Sequence, residues 1–224
     1  MTEKTPRRPR RDDALSRERI IAASIELLDS GGEAALTFRA LSERLATGPG
    51  AIYGHIADKH DLLVAACDAV VSRTVEPGMA GASPQATIRA VALALFDAMD
   101  AHPWIGSALS WTAGQLTMVR IIECIGQQLR ALGVPPEKHW ATVSALLNFI
   151  LGVGGQNAAN AQAARARGAD RGDVLAAVAG AWSALDAAQY PFVRSVAVQM
   201  RAHDDCADFL FGIDLILQGV SADT

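Results

Sequence analysis

The stretch Leu36–Lys59, LTFRALSERLATGPGAIYGHIADK, predicts two short helices joined by a tight turn. Thr37 is a good N-cap for the first helix, because its hydroxyl can accept a hydrogen bond from an otherwise unpaired amide of the first turn. Leu41 and Leu45 lie four residues apart, so they share one apolar face of that helix.

The second helix of the pair begins after Thr47-Gly48, which interrupts the first helix. Pro49 suits its first position, since the missing N–H of proline would be unpaired there anyway. Ile52 and Ile56 give this helix one apolar side, and the helical step of about 100° per residue turns its other residues outward. The outward residues are Gly50, Ala51, Tyr53 and Gly54. Two helices around a small shared core, with the second presented outward, are typical of a helix–turn–helix.

This stretch resembles the DNA-binding segment of TetR-family transcriptional regulators. The family pattern is a Leu-Thr start, an Arg two residues after the Thr, a Leu-containing helix, a turn, Tyr-x-His, and a Lys four residues on. The matching residues are Leu36, Thr37, Arg39, Leu41, Leu45, Tyr53, His55 and Lys59. The chain departs from the pattern in the turn, where Ala46-Thr47 and Gly48 replace a Gly-Val turn and a polar cap. It departs again at Gly54, where the family often has a large or basic residue.

The resemblance implies that Tyr53, His55 and Lys59 contact DNA phosphates. For Lys59 the alternative is an ordinary surface lysine, and for His55 it is a partly buried capping residue. Arg39 is expected to pair with guanine or to bridge phosphates. Its alternative is a salt bridge to Glu43, four residues further along the helix.

The other outward residues of the second helix are small. Gly50, Ala51 and Gly54 offer no side-chain hydrogen bonds but allow a close approach to DNA, where Ala51 could touch a thymine methyl group. Base recognition is therefore expected to depend on few side chains, among them Thr47 and Arg39, and on DNA shape. The complete set of residues expected at the DNA is Thr37, Arg39, Thr47, Gly48, Pro49, Gly50, Ala51, Tyr53, Gly54, His55 and Lys59.

Composition and charge narrow the class of protein. The chain has 224 residues, half of them apolar, which is enough for a sizeable core and argues against disorder. Its three cysteines have no metal-ligand spacing, and a reducing, cytoplasmic location is the simplest interpretation. No apolar run is long enough to span a membrane.

Residues 1–11 hold five basic residues and one acidic residue, which predicts either a disordered arm that meets phosphates or a solvated tail with no role.

One helix is predicted before the helix–turn–helix and one after it. The first runs from Asp12 to Asp29 and is ended by Ser30-Gly31-Gly32. Its apolar face carries Ile21, Ile25 and Leu28. The other runs from Asp58, its N-cap, to about Val75, where a break follows. The predicted parts are a basic arm (1–11), a helix–turn–helix DNA-binding domain (12–78) and a ligand-binding and dimerisation domain (79–224).

Two helices of the second domain carry more apolar surface than one face needs. They are the long helix that begins near Glu137 and the last helix, which is capped by Asp204 or Asp205. Surplus apolar surface indicates an interface, and two such helices doubled by a two-fold axis give a four-helix bundle. The alternative is a monomer with a thick core. The residues expected in the dimer interface are Trp140, Val143, Leu147, Ile150, Phe209, Ile213, Ile216 and Val220.

The resemblance also implies a ligand pocket in the second domain. Aromatic and apolar side chains with a few polar ones are the usual lining of such a pocket. The candidates are His102, Trp104, Trp111, Gln115, Met118, Asn148, Phe149, Gln156 and Trp182, with Trp140 as a further aromatic. The alternative for the aromatics is ordinary core, and for Asn148 it is a hydrogen bond between helices or across a dimer.

Two other function classes compete with a regulator. An enzyme lacks support, because the sequence has no metal spacing, nucleophile elbow or Gly-rich strand–helix turn, so we expect no catalytic residue, metal or cofactor. A ligand-independent architectural DNA-binding protein would not need the large apolar second domain. The sequence thus predicts an all-α, homodimeric, TetR-like transcriptional regulator. We expect a repressor that binds near-palindromic double-stranded operator DNA and leaves it when a small molecule binds.

Overall fold

The computed structural model describes residues 15–74, 83–111 and 115–222. These residues form eleven α-helices and a short 3-10 turn at Pro136–Lys138, with no strand among them, which confirms the predicted all-α class. The helices are α1 (Arg17–Ala35), α2 (Phe38–Arg44), α3 (Pro49–Tyr53), α4 (Lys59–Thr74), α5 (Pro84–Ala101), α6 (Ile105–Trp111), α7 (Leu116–Ala131), α8 (His139–Ala166), α9 (Arg171–Ala184), α10 (Pro191–Arg201) and α11 (Asp205–Ala222). Within the described ranges, no helix is both long and apolar enough to cross a membrane.

The chain divides into two compact units, Met1–Ala69 and Val70–Thr224. The division falls within α4, so this helix begins in the first unit and ends in the second. The predicted basic arm at residues 1–11 and the predicted domain boundary after residue 78 both lie outside the described residues.

The buried face of α1 is rotated by about one residue from the predicted face. It carries Ile20, Ala23, Ser24 and Leu28. Ser24 can be buried because its hydroxyl donates a hydrogen bond to the Ile20 carbonyl at 2.8 Å. A prediction from apolar residues alone leaves out a buried serine. It therefore assigned Ile21 and Ile25 to the buried face with Leu28, although both isoleucines are only half-buried.

The glycines predicted to end α1 bend it instead. Gly31 and Gly32 leave helical geometry, and Gly32 has a φ of 62°, a left-handed conformation that glycine adopts without steric cost. The chain then makes one further helical turn to Ala35. The described part of the helix begins at Arg17, and Asp12, its predicted start, lies outside the described residues.

The centre of the second unit is α5, which packs against α7, α8 and α11. Its apolar stripe is fully buried, with 0% exposure for Ile88, Val91, Leu95 and Met99. Helix α7 leaves the apolar side chains of Leu116 and Val119 exposed, at 59% and 48%. The residues that α7 buries are Thr117, Met118, Ile121, Ile125 and Leu129. Met118 and Ile121 continue the helical spacing of Ile125 and Leu129, so these four residues form one buried stripe.

An aromatic stack fixes α11 against α5 and α8. The ring of Phe209 lies 4.7 Å from that of Phe96 on α5 and 5.8 Å from that of Phe149 on α8, with both pairs stacked. Such ring pairs add to the gain from apolar burial. Asp204 caps the helix, because its Oδ1 accepts hydrogen bonds from the backbone amides of Cys206 and Ala207, each at 3.0 Å. This selects Asp204 from the two caps that the sequence allowed.

Most of the side chains predicted at a dimer interface are instead buried inside the protomer. The exposed fraction is 8% or less for Val143, Leu147, Ile150, Phe209 and Ile213. The helices α8 and α11, which carry them, pack against α5 and against each other. Ile216 and Val220 are half-buried. The large apolar side chains that these two helices do expose are Trp140, Phe211 and Leu215.

The close contact between α11 and α8 gives a stability test. A Cβ added at Gly212 would lie 2.2 Å from Cζ of Phe149, whose ring is held in the aromatic stack. Gly212→Ala should therefore lower the free energy of unfolding, measured by urea denaturation, by about 1–3 kcal/mol.

Gly219→Ala on the same helix is the matched control. A Cβ there would meet no other atom within 4 Å, so this variant should gain about 0.5–1 kcal/mol from helix propensity. Equal stability of the two variants would contradict the packing described for α11.

Candidate DNA interface

The first helix of the pair, α2, begins as predicted and ends in a strained turn. Thr37 Oγ1 accepts a hydrogen bond at 3.1 Å from the backbone amide three residues on, and Leu41 is fully buried. Ala46 follows the helix with a left-handed φ of 50°, and the Thr47 amide donates to the Ser42 carbonyl at 3.0 Å. A left-handed alanine costs about 1–2 kcal/mol, so packing around the turn, not local preference, maintains this conformation.

The second helix, α3, presents a low and open face. Pro49 occupies its first turn, and Ile52 and Ile56 are buried with 0% and 1% exposure, as predicted. The residues predicted to point outward, Gly50, Ala51, Tyr53 and Gly54, are all exposed. A Cβ added at Gly48 or Gly50 would meet no other atom within 4 Å. None of the described side chains covers this face, so a large partner can approach its backbone closely.

Tyr53 is oriented by a contact that the sequence pattern did not reveal. Its ring stacks on that of Phe38, the first residue of α2, with a centroid distance of 4.4 Å and an interplanar angle of 16°. Tyr53 is nevertheless 56% exposed. The stack holds the ring while the hydroxyl remains accessible, which suits a donor to a phosphate oxygen. Phe38 and Tyr53 are fifteen positions apart, so no local periodicity relates them.

Arg39 forms the salt bridge that was the alternative to a DNA contact. Its Nε donates to Glu43 Oε1 at 2.9 Å, and the two side chains are 90% and 66% exposed. An exposed ion pair one helical turn apart contributes little to stability and is screened by salt. The salt bridge therefore leaves Arg39 available to exchange Glu43 for a phosphate or a base.

His55 lies in the connection between α3 and α4, and Lys59 directly follows that connection. His55 is exposed, so the alternative of a partly buried capping residue is wrong. Lys59 is the first residue of α4, and its Nζ donates to the Glu33 carbonyl at 2.5 Å. Because an ammonium group has two further N–H donors, Lys59 can keep this contact and still reach an anion.

The same connection is held by two residues that were not predicted as site residues. Arg17 Nη1 donates to the His55 carbonyl at 2.7 Å, and Arg17 Nη2 donates to Asp61 Oδ1 at 2.9 Å. The hydrogen bond from Arg17 holds the pKa of the Asp61 carboxyl below its ordinary value. These partners are 38 and 44 residues from Arg17, a separation at which sequence spacing carries no signal.

Comparisons with known proteins agree with this geometry. The family model described as "Bacterial regulatory proteins, tetR family" matches residues 20–66, and the one described as "Tetracyclin repressor-like, C-terminal domain" matches residues 78–224. The chain belongs to the TetR family. It is therefore related to bacterial transcriptional regulators with an N-terminal helix–turn–helix.

Among solved TetR-family structures, the chain is similar to the transcriptional regulator SCO7222 from Streptomyces coelicolor. The two are 51% identical with a TM-score of 0.83, over 93% of this chain and 99% of that chain. ActR from Streptomyces coelicolor, solved in complex with actinorhodin, shares the fold at 22% identity with a TM-score of 0.75, over 94% and 97% of the two chains.

A curated relative is an HTH-type transcriptional regulator from Saccharopolyspora erythraea. It is 31% identical over 140 residues, which are 62% of this chain. The match spans 59% of that relative's own length.

The pocket residues that TetR-family resemblance suggested occupy different environments. Trp104 and Met118 are buried, at 5% exposure each, and His102 meets Trp104 edge-on with ring centroids 6.1 Å apart. Phe149 and Trp182 are half-buried. Gln115, Asn148 and Gln156 are exposed. The side chain of Trp111 lies outside the described residues.

Asn148 was suggested for the pocket, with a hydrogen bond between helices or across a dimer as the alternative. It lies on the exposed side of α8, and its Nδ2 donates to Ser144 Oγ of the same helix at 3.3 Å. A polar residue flanked by apolar neighbours in a sequence can therefore simply mark the solvent side of a helix.

A groove of about 280 Å³ lies between α7 and the beginning of α8. Its lining residues are Ile122, Glu123, Gly126, Gln127, Arg130, His139, Trp140 and Val143. Of the residues suggested for a pocket, this groove includes only Trp140. Within the described ranges, no group of three or more His, Cys, Asp or Glu side chains is arranged to hold a metal ion.

Proposed function

We propose that this TetR-family protein is a homodimeric repressor that binds a near-palindromic operator through α2 and α3. The observation that carries the proposal is the open face of α3, bordered by the accessible donors Tyr53, Arg39 and Lys59. Backbone that lies close to a groove, beside donors that reach phosphates, is the usual arrangement of a helix–turn–helix on DNA. The recognition surface consists of Thr37, Arg39, Thr47, Gly48, Pro49, Gly50, Ala51, Tyr53, Gly54, His55 and Lys59.

Roles within the recognition surface follow from the chemistry of each side chain. Tyr53, His55 and Lys59 contact phosphates, which fix position without reading sequence. Arg39 reads a base, and Thr47, Gly48, Pro49, Gly50, Ala51 and Gly54 allow the α3 backbone to enter the groove. Residues 12–78 form the DNA-binding part and residues 79–224 the regulatory part, with the basic arm at 1–11 adding phosphate contacts.

A second copy of the chain supplies the other half of the operator contact. The exposed side chains of Trp140 on α8 and of Phe211 and Leu215 on α11 support an isologous interface, because large apolar groups on a surface favour association. On straight B-DNA the two α3 helices of such a dimer must lie about 34–36 Å apart to enter successive major grooves.

Release by a small molecule is the regulatory part of the proposal. It is supported by the fold shared with ActR, which was solved in complex with actinorhodin. The ligand would occupy the second unit near the buried side chains Trp104 and Met118. It can weaken operator binding only by its different affinity for two arrangements of the dimer, and operator DNA must then weaken ligand binding by the same factor.

The operator can be found by in vitro selection with the purified protein and a random duplex library. We expect enrichment of two inverted half-sites whose centres lie about 10–10.5 base pairs apart or a multiple of that spacing. The enriched duplex is then compared with an unrelated duplex of equal length in a gel shift. Absence of enrichment, or equal binding to both duplexes, would refute sequence-specific regulation.

Substitutions in the recognition surface should separate phosphate contacts from base contacts. Tyr53→Phe keeps the stack on Phe38 and removes only the hydroxyl, and Lys59→Ala removes a charge, so both should weaken binding to the selected and unrelated duplexes alike. Arg39→Ala should instead relax the preference at one base pair in each half-site, by about 1–3 kcal/mol. The measurement is the affinity of each variant for the selected duplex and its single-base-pair mutants. If Arg39→Ala leaves the base preference intact, Arg39 is only the salt-bridge partner of Glu43.

A further inference from the structure

The guanidinium group of Arg17 joins three parts of the first unit. Arg17 is the first residue of α1, and its two terminal nitrogens reach the His55 carbonyl at 2.7 Å and Asp61 Oδ1 at 2.9 Å. His55 follows α3, and Asp61 lies in the first turn of α4. A planar guanidinium with donors in a fixed fork sets both the distance and the angle between two acceptors.

Asp61 extends this contact into the connection between the two helices. Its Oδ2 accepts a hydrogen bond from the Ala57 amide at 3.1 Å. Its own backbone amide donates to Asp58 Oδ1 at 2.8 Å, which caps α4. The segment from His55 to Asp58 is therefore tied at its first residue by Arg17, at Ala57 by the Asp61 carboxylate, and at its end by the Asp58 cap.

These contacts are better suited to fixing geometry than to stabilising the fold. The side chains of Arg17 and Asp61 are 43% and 31% exposed, and an ion pair with that much solvent contact contributes little net stability. The first unit already has an apolar core that includes Ile20, Leu41 and Ile52, each with 0% exposure. The main effect of the Arg17–Asp61 pair is therefore to fix the position of the chain between α3 and α4.

We propose that Arg17 and Asp61 are positioning residues of the recognition surface. They hold the His55–Asp58 segment so that Tyr53 and His55 on one side and Lys59 on the other meet the DNA backbone in one arrangement. This inference rests on the proposed DNA-binding function. A preformed arrangement raises affinity because the segment need not be ordered when DNA binds.

A positioning role for Asp61 and simple electrostatics predict opposite effects of removing its charge on DNA affinity. A carboxylate beside phosphate-binding side chains repels DNA, so removing its charge should strengthen binding if Asp61 has no other role. If Asp61 positions the segment, Asp61→Asn should weaken binding, although it removes a negative charge. The neutral amide loses the charge-assisted contact with Arg17.

Glu26→Gln provides a matched control. Glu26 Oε2 accepts a hydrogen bond from Arg44 Nε at 2.6 Å, so it too joins α1 to another helix of the same unit by an exposed ion pair. The two variants change the net charge equally. We expect Asp61→Asn to bind the selected duplex about tenfold more weakly than the wild type, and Glu26→Gln to bind it as tightly or slightly more tightly.

Arg17→Lys separates geometry from charge in a second variant. Lysine keeps the positive charge but cannot bridge the His55 carbonyl and Asp61 with a fixed fork. We expect Arg17→Lys to lose about as much affinity for the selected duplex as Asp61→Asn. It also remains informative if Asp61→Asn proves poorly folded, which thermal unfolding of each variant would reveal.

The salt dependence of binding provides a readout that a loss of stability alone would not change. Each phosphate contact that is lost lowers the slope of log K against log salt concentration by about one. Affinities are therefore measured by fluorescence anisotropy with the selected and unrelated duplexes over a series of salt concentrations. Asp61→Asn and Arg17→Lys should both show a smaller slope than the wild type, and Glu26→Gln an unchanged one.

The outcomes distinguish this inference from the function on which it rests. If the wild type binds no duplex, the proposed function fails. If the wild type binds but Asp61→Asn binds as tightly as Glu26→Gln, with an unchanged slope, DNA binding stands and the positioning role is refuted. Wild-type affinity for Arg17→Lys would likewise refute it, because charge alone would then suffice.

Discussion

The burial of Leu41, Ile52 and Ile56 is what allows the recognition surface to exist. α2 has seven residues and α3 has five, and isolated helices of that length are not stable in water. Their conformation therefore depends on packing, and these three side chains have exposures of 0%, 0% and 1%. The cost of the left-handed Ala46 in the intervening turn is offset by the same packing.

Three contacts at the surface of the first unit orient side chains of the recognition surface around this apolar core. The Tyr53–Phe38 stack, the Lys59–Glu33 contact and the Arg17–Asp61 pair each join segments that are distant in sequence. Each leaves its outer polar atoms accessible, since these residues lie at the surface of the first unit. The arrangement suits a protein whose partner is a charged polymer, because donors that are already oriented gain more from each phosphate contact.

Much of the first unit could be predicted because its signals are local. Thr37 as a cap, Pro49 at a helix start and the Ile52–Ile56 pair each act within one or two helical turns, and the structure has all three. Arg17 and Phe38 could not be predicted, because their partners are fixed by tertiary packing. The buried Ser24 was missed for a related reason, since its polarity is satisfied by its own helix.

The second unit shows the limit of apolar patterns more clearly. The stripe of Phe209 and Ile213 was visible in the sequence, but the pattern could not say whether it meets α5 or a second copy of the chain. In the structure the Phe209 ring stacks on Phe96 and Phe149, in the interior of the protomer. Phe211 and Leu215, which lie between the buried positions of α11, remain exposed and are the better candidates for association.

Contact between the recognition surface and DNA can be tested by the amide chemical shifts of the protein with and without the selected duplex. Two-dimensional NMR spectra of the labelled full-length protein would show which backbone amides change. If the recognition surface meets DNA, the largest changes lie between Gly48 and Lys59, including Ala57, whose amide is bound by Asp61. Large changes confined to α5–α11, with the amides of α3 unchanged, would contradict it.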